Sequence, residues 1–201
     1  MYEVIGFAKT RAMRVMWILE ELGAPYKVTP VMPQSPEARE VNPSGKVPIL
    51  RDGDNLLTDS VAICTYLADK SGKFTYPAGT FERARQDSMT QFVVDELETP
   101  LWMAAKHSFV LPEKLRVPDV KETCQAEFAR GLKHLEKRLG DNEYLAGAQF
   151  TIADIIAGHC GSWAANAKFD LPKEGPVYDY FKRLRQRPAY LAMIERIAEP
   201  A

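Results

Sequence analysis

The chain has 201 residues, is 46% hydrophobic and 26% charged, and balances 26 Lys and Arg against 27 Asp and Glu. That composition excludes disorder, because enough apolar surface is available to offset the entropy of ordering. The near-neutral charge, shared by both halves of the chain, argues against nucleic acid or an anionic membrane as the main partner.

The longest apolar stretches, such as residues 15–19, fall far short of the roughly 20 residues a membrane-spanning helix needs. The start, MYEVIGFAKTRAMR, shows no secretory signal pattern. Cys64, Cys124 and Cys160 are widely spaced and form neither a CxxC pair nor a metal-ligand cluster. A cytoplasmic protein without a metal is the expectation.

Residues 2–7 are predicted as the first strand. Val15, Ile18, Leu19 and Leu22 then mark one apolar stripe of a helix that stops at Gly23. Residues 26–31 read as a second strand. Pro33, Pro36, Pro43 and Gly45 make the next segment irregular. Residues 47–50 and 56–58 flank Asp52-Gly53-Asp54-Asn55, a hairpin composition, and a second helix runs from Asp59 to about residue 69.

Residues 71–80 are rich in small and helix-breaking types and mark a domain boundary. Beyond them, Met89, Phe92, Val93, Leu97 and Leu101 predict a long helix kinked at Pro100. Val120, Cys124, Phe128, Leu132, Leu135 and Leu139 predict another, ending with Gly140 in the left-handed cap position. At Phe150-Thr151-Ile152-Ala153-Asp154-Ile155, Thr151 and Asp154 have capping-box spacing, flanked by a hydrophobic staple, and read as a folding device. His134 and His159 read as ordinary helix residues. The predicted architecture is an α/β domain over 1–76 followed by an all-helical domain over 81–201.

These segments together resemble the glutathione transferase family. The resemblance rests on Thr10-Arg11-Ala12 leading into VMWILEELG, on NPSGKVPIL at 42–50, on TDSVAICTYL at 58–67 and on YLAGAQFTIAD at 144–154, with RPAYLAMI at 187–194 a weaker match. It implies a thioredoxin-like N-terminal domain that binds glutathione and a helical-bundle C-terminal domain that supplies the electrophile pocket, in a homodimer. It also implies a cis Val47–Pro48 bond, with the Val47 backbone pairing with the cysteinyl part of glutathione. Ser60 would donate to the γ-glutamyl carboxylate, Asp59 would pair with its ammonium, and Lys46 with the glycyl carboxylate. Each has a plainer alternative: a tight turn at Pro48, a helix cap at Asp59 and Ser60, a solvated loop lysine at Lys46.

Conjugation needs the thiolate, whereas a free thiol has a pKa of about 8.5. Thr10, where related sequences carry Ser, retains a hydroxyl that could donate to sulfur, or it could cap the helix. Arg11 could add electrostatic stabilisation or be structural. Residues 7–13 hold no cysteine, which excludes dithiol exchange by the protein's own thiols there. By the same resemblance Trp102, His107 and Phe109 would face the electrophile, with Trp163 either joining them or packing in the core. A glutathione-dependent peroxidase or isomerase, and a non-catalytic binding module of the same fold, are the rival readings.

Overall fold

The computed structural model describes residues 1–198. In chain order they form β1 (Tyr2–Ile5), α1 (Met13–Leu22), β2 (Tyr26–Thr29), α2 (Pro36–Val41), β3 (Ile49–Asp52), β4 (Asn55–Thr58) and α3 (Ser60–Ser71). There follow α4 (Phe81–Phe92), α5 (Thr99–Ala105), α6 (Val120–Leu139), α7 (Ile152–Asn166), α8 (Pro176–Arg185) and α9 (Pro188–Ala198). The described residues divide into two compact units, residues 78–184 and residues 1–77 together with residues 185–198.

In the first unit the strands are ordered β2-β1-β3-β4. β1 and β2 are parallel, which requires a crossover, and α1 provides it. β1–β3 and β3–β4 are antiparallel, the latter pair closing on a two-residue turn because Asp52 faces Asn55. Gly53 takes the positive φ of 61° that this turn demands. α1 buries Val15, Met16, Trp17, Ile18 and Leu19 and ends at Gly23 in the left-handed conformation.

Two features of this unit depart from the sequence expectation. The proline-rich segment is not wholly irregular: α2 forms with Ser35 as N-cap, its Oγ accepting from the Ala38 N–H at 3.2 Å, and Pro36 in the first turn. α9, expected within the helical domain, packs on α1. Trp17 meets the Tyr190 ring edge-on at 4.8 Å, and the Arg187 guanidinium forks onto Glu21 at 2.6 and 2.8 Å. A tryptophan and a carboxylate on α1 thus recruit the last helix to the first unit.

In the second unit the predicted helix through Leu101 keeps helical backbone from α4 into α5 but is locally widened. Residues 93–98 form a widened turn between α4 and α5, and Pro100 lies in the first turn of α5. Proline has no N–H to return to residue 96 and its ring crowds that carbonyl, so the turn opens. α6 approaches this turn through Gly131, where a Cβ would lie 2.5 Å from the Glu96 carbonyl oxygen. Cys124, Phe128, Leu132, Leu135 and Leu139 form the buried face of α6, as their spacing predicts. Gly140 has φ 52° and ψ −131°, so it stops the helix without adopting the left-handed helical cap.

α7 starts at the predicted capping box. Asp154 Oδ2 accepts from the Thr151 N–H at 2.8 Å, while its Oδ1 accepts from the Leu145 N–H at 2.9 Å and from the Tyr180 hydroxyl at 2.8 Å. The carboxylate is fully buried and ties the 144–151 loop, α7 and α8 together.

Candidate active site

Sheet register sets the geometry. Ile5 faces Ile49 across β1–β3, and Ile49 faces Thr58 across β3–β4. The residues just past this row are Gly6, Pro48 and Asp59. The loop to α1, the turn before β3 and the start of α3 therefore emerge at one end of the sheet. Thr10, Val47, Pro48, Asp59 and Ser60, distant in sequence, all belong to these segments.

Gly6 makes the closest approach possible. It has φ 153°, and a Cβ there would lie 3.1 Å from the Val47 Cβ. The chain then turns through Lys9 and leaves Thr10 in extended conformation at φ −125°, immediately before the helical residues. The Thr10 Oγ1 accepts from the Ala12 N–H at 3.2 Å and donates to the Phe7 carbonyl at 2.6 Å. Thr10 thus has the bonds of a helix cap, and its only hydroxyl proton is held by Phe7. Arg11 follows it, half-buried, at the helix start.

The Val47–Pro48 bond is cis, as the resemblance implies. Pro48 is buried, Val47 half-buried and Lys46 exposed. Asn42 shapes this loop: its Oδ1 accepts from the Ser44 N–H at 3.2 Å, and its Nδ2 donates to the Lys46 carbonyl at 2.8 Å.

At the start of α3, Asp59 has φ 72°, unusual for a residue with a side chain. Its Oδ1 accepts from the N–H groups of Val61 and Ala62 at 2.9 and 3.1 Å. The carboxylate expected for a ligand ammonium is therefore also the helix cap. Ser60 is 2% exposed, and its Oγ accepts from the Nη1 of Arg14 at 3.1 Å. Arg14 is the site residue that sequence reasoning missed, although its position four residues before Ile18 places it on the buried stripe of α1. Cys64 lies one turn along α3 with its Sγ 3.6 Å from the Arg14 carbonyl oxygen. Burial pushes its thiol up to about 12, so it is an inert core residue.

In the helical unit, Trp102 of α5 packs edge-on against Trp163 of α7 at 6.5 Å, and Trp163 meets His159 at 5.8 Å. His107 lies in a second widened turn, residues 106–110, where its Nδ1 accepts from the Val117 N–H at 3.0 Å. Phe109 is 69% exposed. An open cavity of about 430 Å³ in this unit is lined by residues including Phe92, Asp95, Glu96, Thr99 and Arg138. Among the described residues no helix is long and apolar enough to cross a membrane, and no group of three or more His, Cys, Asp or Glu is placed to hold a metal.

The sheet order, the cis proline before β3 and the helix start beside it define a thioredoxin-like domain, joined in this chain to a helical one. Residues 10–70 match the glutathione S-transferase N-terminal domain family, and residues 103–193 match the corresponding C-terminal domain. A glutathione S-transferase of Pseudomonas putida is 31% identical over 160 residues, 78% of this chain and 71% of its own. The disulfide-bond oxidoreductase YfcG of Escherichia coli is 32% identical over 164 residues, 77% and 74% of the two chains. A glutathione transferase of Phanerochaete chrysosporium, solved in complex with oxidized glutathione, superposes with a TM-score of 0.84 at 29% identity, over 98% of this chain and 96% of that one. The chain belongs to the glutathione S-transferase family.

Proposed function

We propose that the protein is a glutathione transferase that activates the thiol of glutathione for attack on small hydrophobic electrophiles. The observation that carries this is the shared row Ile5, Ile49 and Thr58, which brings the Thr10 loop, Val47–Pro48 and Asp59–Ser60 to one sheet end. Glutathione laid along the Val47 backbone, with its γ-glutamyl carboxylate at Ser60, directs its sulfur toward Thr10. The thiolate lone pair forms the new carbon–sulfur bond, and the leaving group departs with the electron pair of the bond that breaks.

Thr10 serves this chemistry by turning its hydroxyl proton from the Phe7 carbonyl to the sulfur, while its oxygen keeps the Ala12 N–H. Arg11 adds positive potential at the same helix start. Lys46 lies in the loop adjoining Val47 and is assigned to the glycyl carboxylate; Asp59 offers its second oxygen to the γ-glutamyl ammonium. Trp102, His107 and Phe109 are assigned to the electrophile, for which aromatic side chains suit an apolar ligand. Family membership supports a homodimer, and three buried cysteines outside any disulfide fit a reducing cytoplasm.

A second reading, thiol–disulfide exchange, has support in the E. coli relative named a disulfide-bond oxidoreductase. Residues 7–13 contain no cysteine, so the attacking thiolate would be that of glutathione. It would bond to one sulfur of the substrate disulfide and release the other as thiolate. Turnover of an aryl halide and of a small disulfide, each with glutathione, distinguishes the readings. Aryl conjugation supports the transferase; disulfide reduction alone overturns it in favour of exchange.

A further inference from the structure

Arg14 is 1% exposed, and its Nη1 reaches the buried Ser60 Oγ. A buried guanidinium is costly unless its N–H groups find acceptors. A serine oxygen that accepts from a cation turns its own proton away from that cation and becomes a stronger donor. At the same helix start, Asp59 places a negative charge and already takes the N–H groups of Val61 and Ala62. The amides that ordinarily draw an anion to a helix N-terminus are thus engaged with the protein's own carboxylate. The Ser60 hydroxyl lies at the same helix start, next to Asp59 in sequence and with the Arg14 guanidinium on its oxygen. Cys64 feels both charges: beneath the larger effect of burial, Arg14 pulls its pKa down and Asp59 pushes it up.

We propose that Arg14 is a positioning residue for the γ-glutamyl carboxylate of glutathione, fixing the Ser60 hydroxyl as a donor and offsetting the charge of Asp59. This rests on the glutathione-binding reading above. It makes the carboxylate subsite a three-residue device, with Asp59 holding the helix, Ser60 touching the ligand and Arg14 acting through Ser60.

The test compares the native protein with Arg14→Met, Arg14→Lys, Ser60→Ala and the Arg14→Met/Ser60→Ala pair. Each is titrated calorimetrically with glutathione and with the analogue whose γ-glutamyl carboxylate is replaced by hydrogen. Loss of a charge-assisted contact predicts that Arg14→Met weakens glutathione binding by about tenfold or more and leaves the analogue unchanged. It predicts an intermediate loss in Arg14→Lys, a rise in KM for glutathione that exceeds any fall in kcat, and no further loss when Arg14→Met is added to Ser60→Ala. Equal weakening of both ligands, or full additivity in the pair, overturns the proposal. Should the Arg14 variants not fold, the guanidinium nitrogen resonance of Arg14 in the native protein answers the same question. It moves on adding glutathione and not with the analogue if the proposal holds, and shows no such difference if it is wrong. A native protein that binds no glutathione overturns both readings together.

Discussion

The Thr10 hydroxyl donates to the Phe7 carbonyl oxygen at 2.6 Å, so the one proton it can offer a sulfur is engaged within its own loop. Capping and catalysis therefore compete for the same hydroxyl. Thr10→Val keeps the branched shape and removes the donor. We expect kcat/KM for conjugation to fall on the order of a hundredfold. Stability should fall by about 1 kcal/mol as the Ala12 N–H loses its cap. Thr10→Ser should preserve both. Kinetics and denaturant unfolding on the pair check this; a Thr10→Val enzyme with native kcat/KM would remove Thr10 from the mechanism.

Gly131 is held by the Glu96 carbonyl, 2.5 Å from where a Cβ would sit. The obstacle is backbone, not a side chain that can swing aside. Gly131→Ala should therefore destabilise the helical unit by about 1–3 kcal/mol despite the better helix propensity of alanine. Urea unfolding monitored by circular dichroism measures it. A stabilised variant would show that α6 and the widened turn can separate without loss.

Asp154 accepts from two backbone N–H groups and the Tyr180 hydroxyl in a fully buried position. Asp154→Ala leaves these donors without their acceptor, and we expect a loss of more than about 3 kcal/mol. The Asn variant should also be destabilised, because its amide nitrogen faces donors. Thermal unfolding of both variants checks this, and a loss in Asp154→Ala typical of an exposed cap would contradict it.

Glu3 is held below its ordinary value of 4.5, first by the Thr29 hydroxyl and then by Lys27 and Arg51 against the opposing effect of burial. The native state consequently binds fewer protons than the unfolded chain between the two pKa values, and stability rises with pH there. The contribution is complete above about 4.5 and is lost as pH falls through the lower native value. Glu3→Gln should flatten part of the acid limb of a melting-temperature profile taken from about pH 6 to about pH 3. An unchanged acid limb would assign that stability elsewhere.

The sequence was most legible where local chemistry acts alone. The apolar stripes of α1 and α6, the hairpin at Gly53 and the Thr151–Asp154 box all follow from neighbouring residues. The site segments were recognisable by resemblance, and the register of Ile5, Ile49 and Thr58 then accounts for their meeting. What the sequence hid is tertiary. Arg14 drew no reading from local pattern, and its partner Ser60 lies 46 residues away in sequence. Pro36 looked like a breaker, yet after Ser35 it opens α2. The attachment of α9 depends on Trp17 and Glu21, whose partners Tyr190 and Arg187 lie at the far end of the chain.

The central claim is that this protein holds glutathione with its sulfur ionised, and one titration addresses it most directly. The ultraviolet absorbance of the thiolate is followed across pH for glutathione bound to the native protein and for free glutathione. The account predicts a bound thiol pKa well below the free value of about 8.5. A bound thiol that titrates like free glutathione would contradict it.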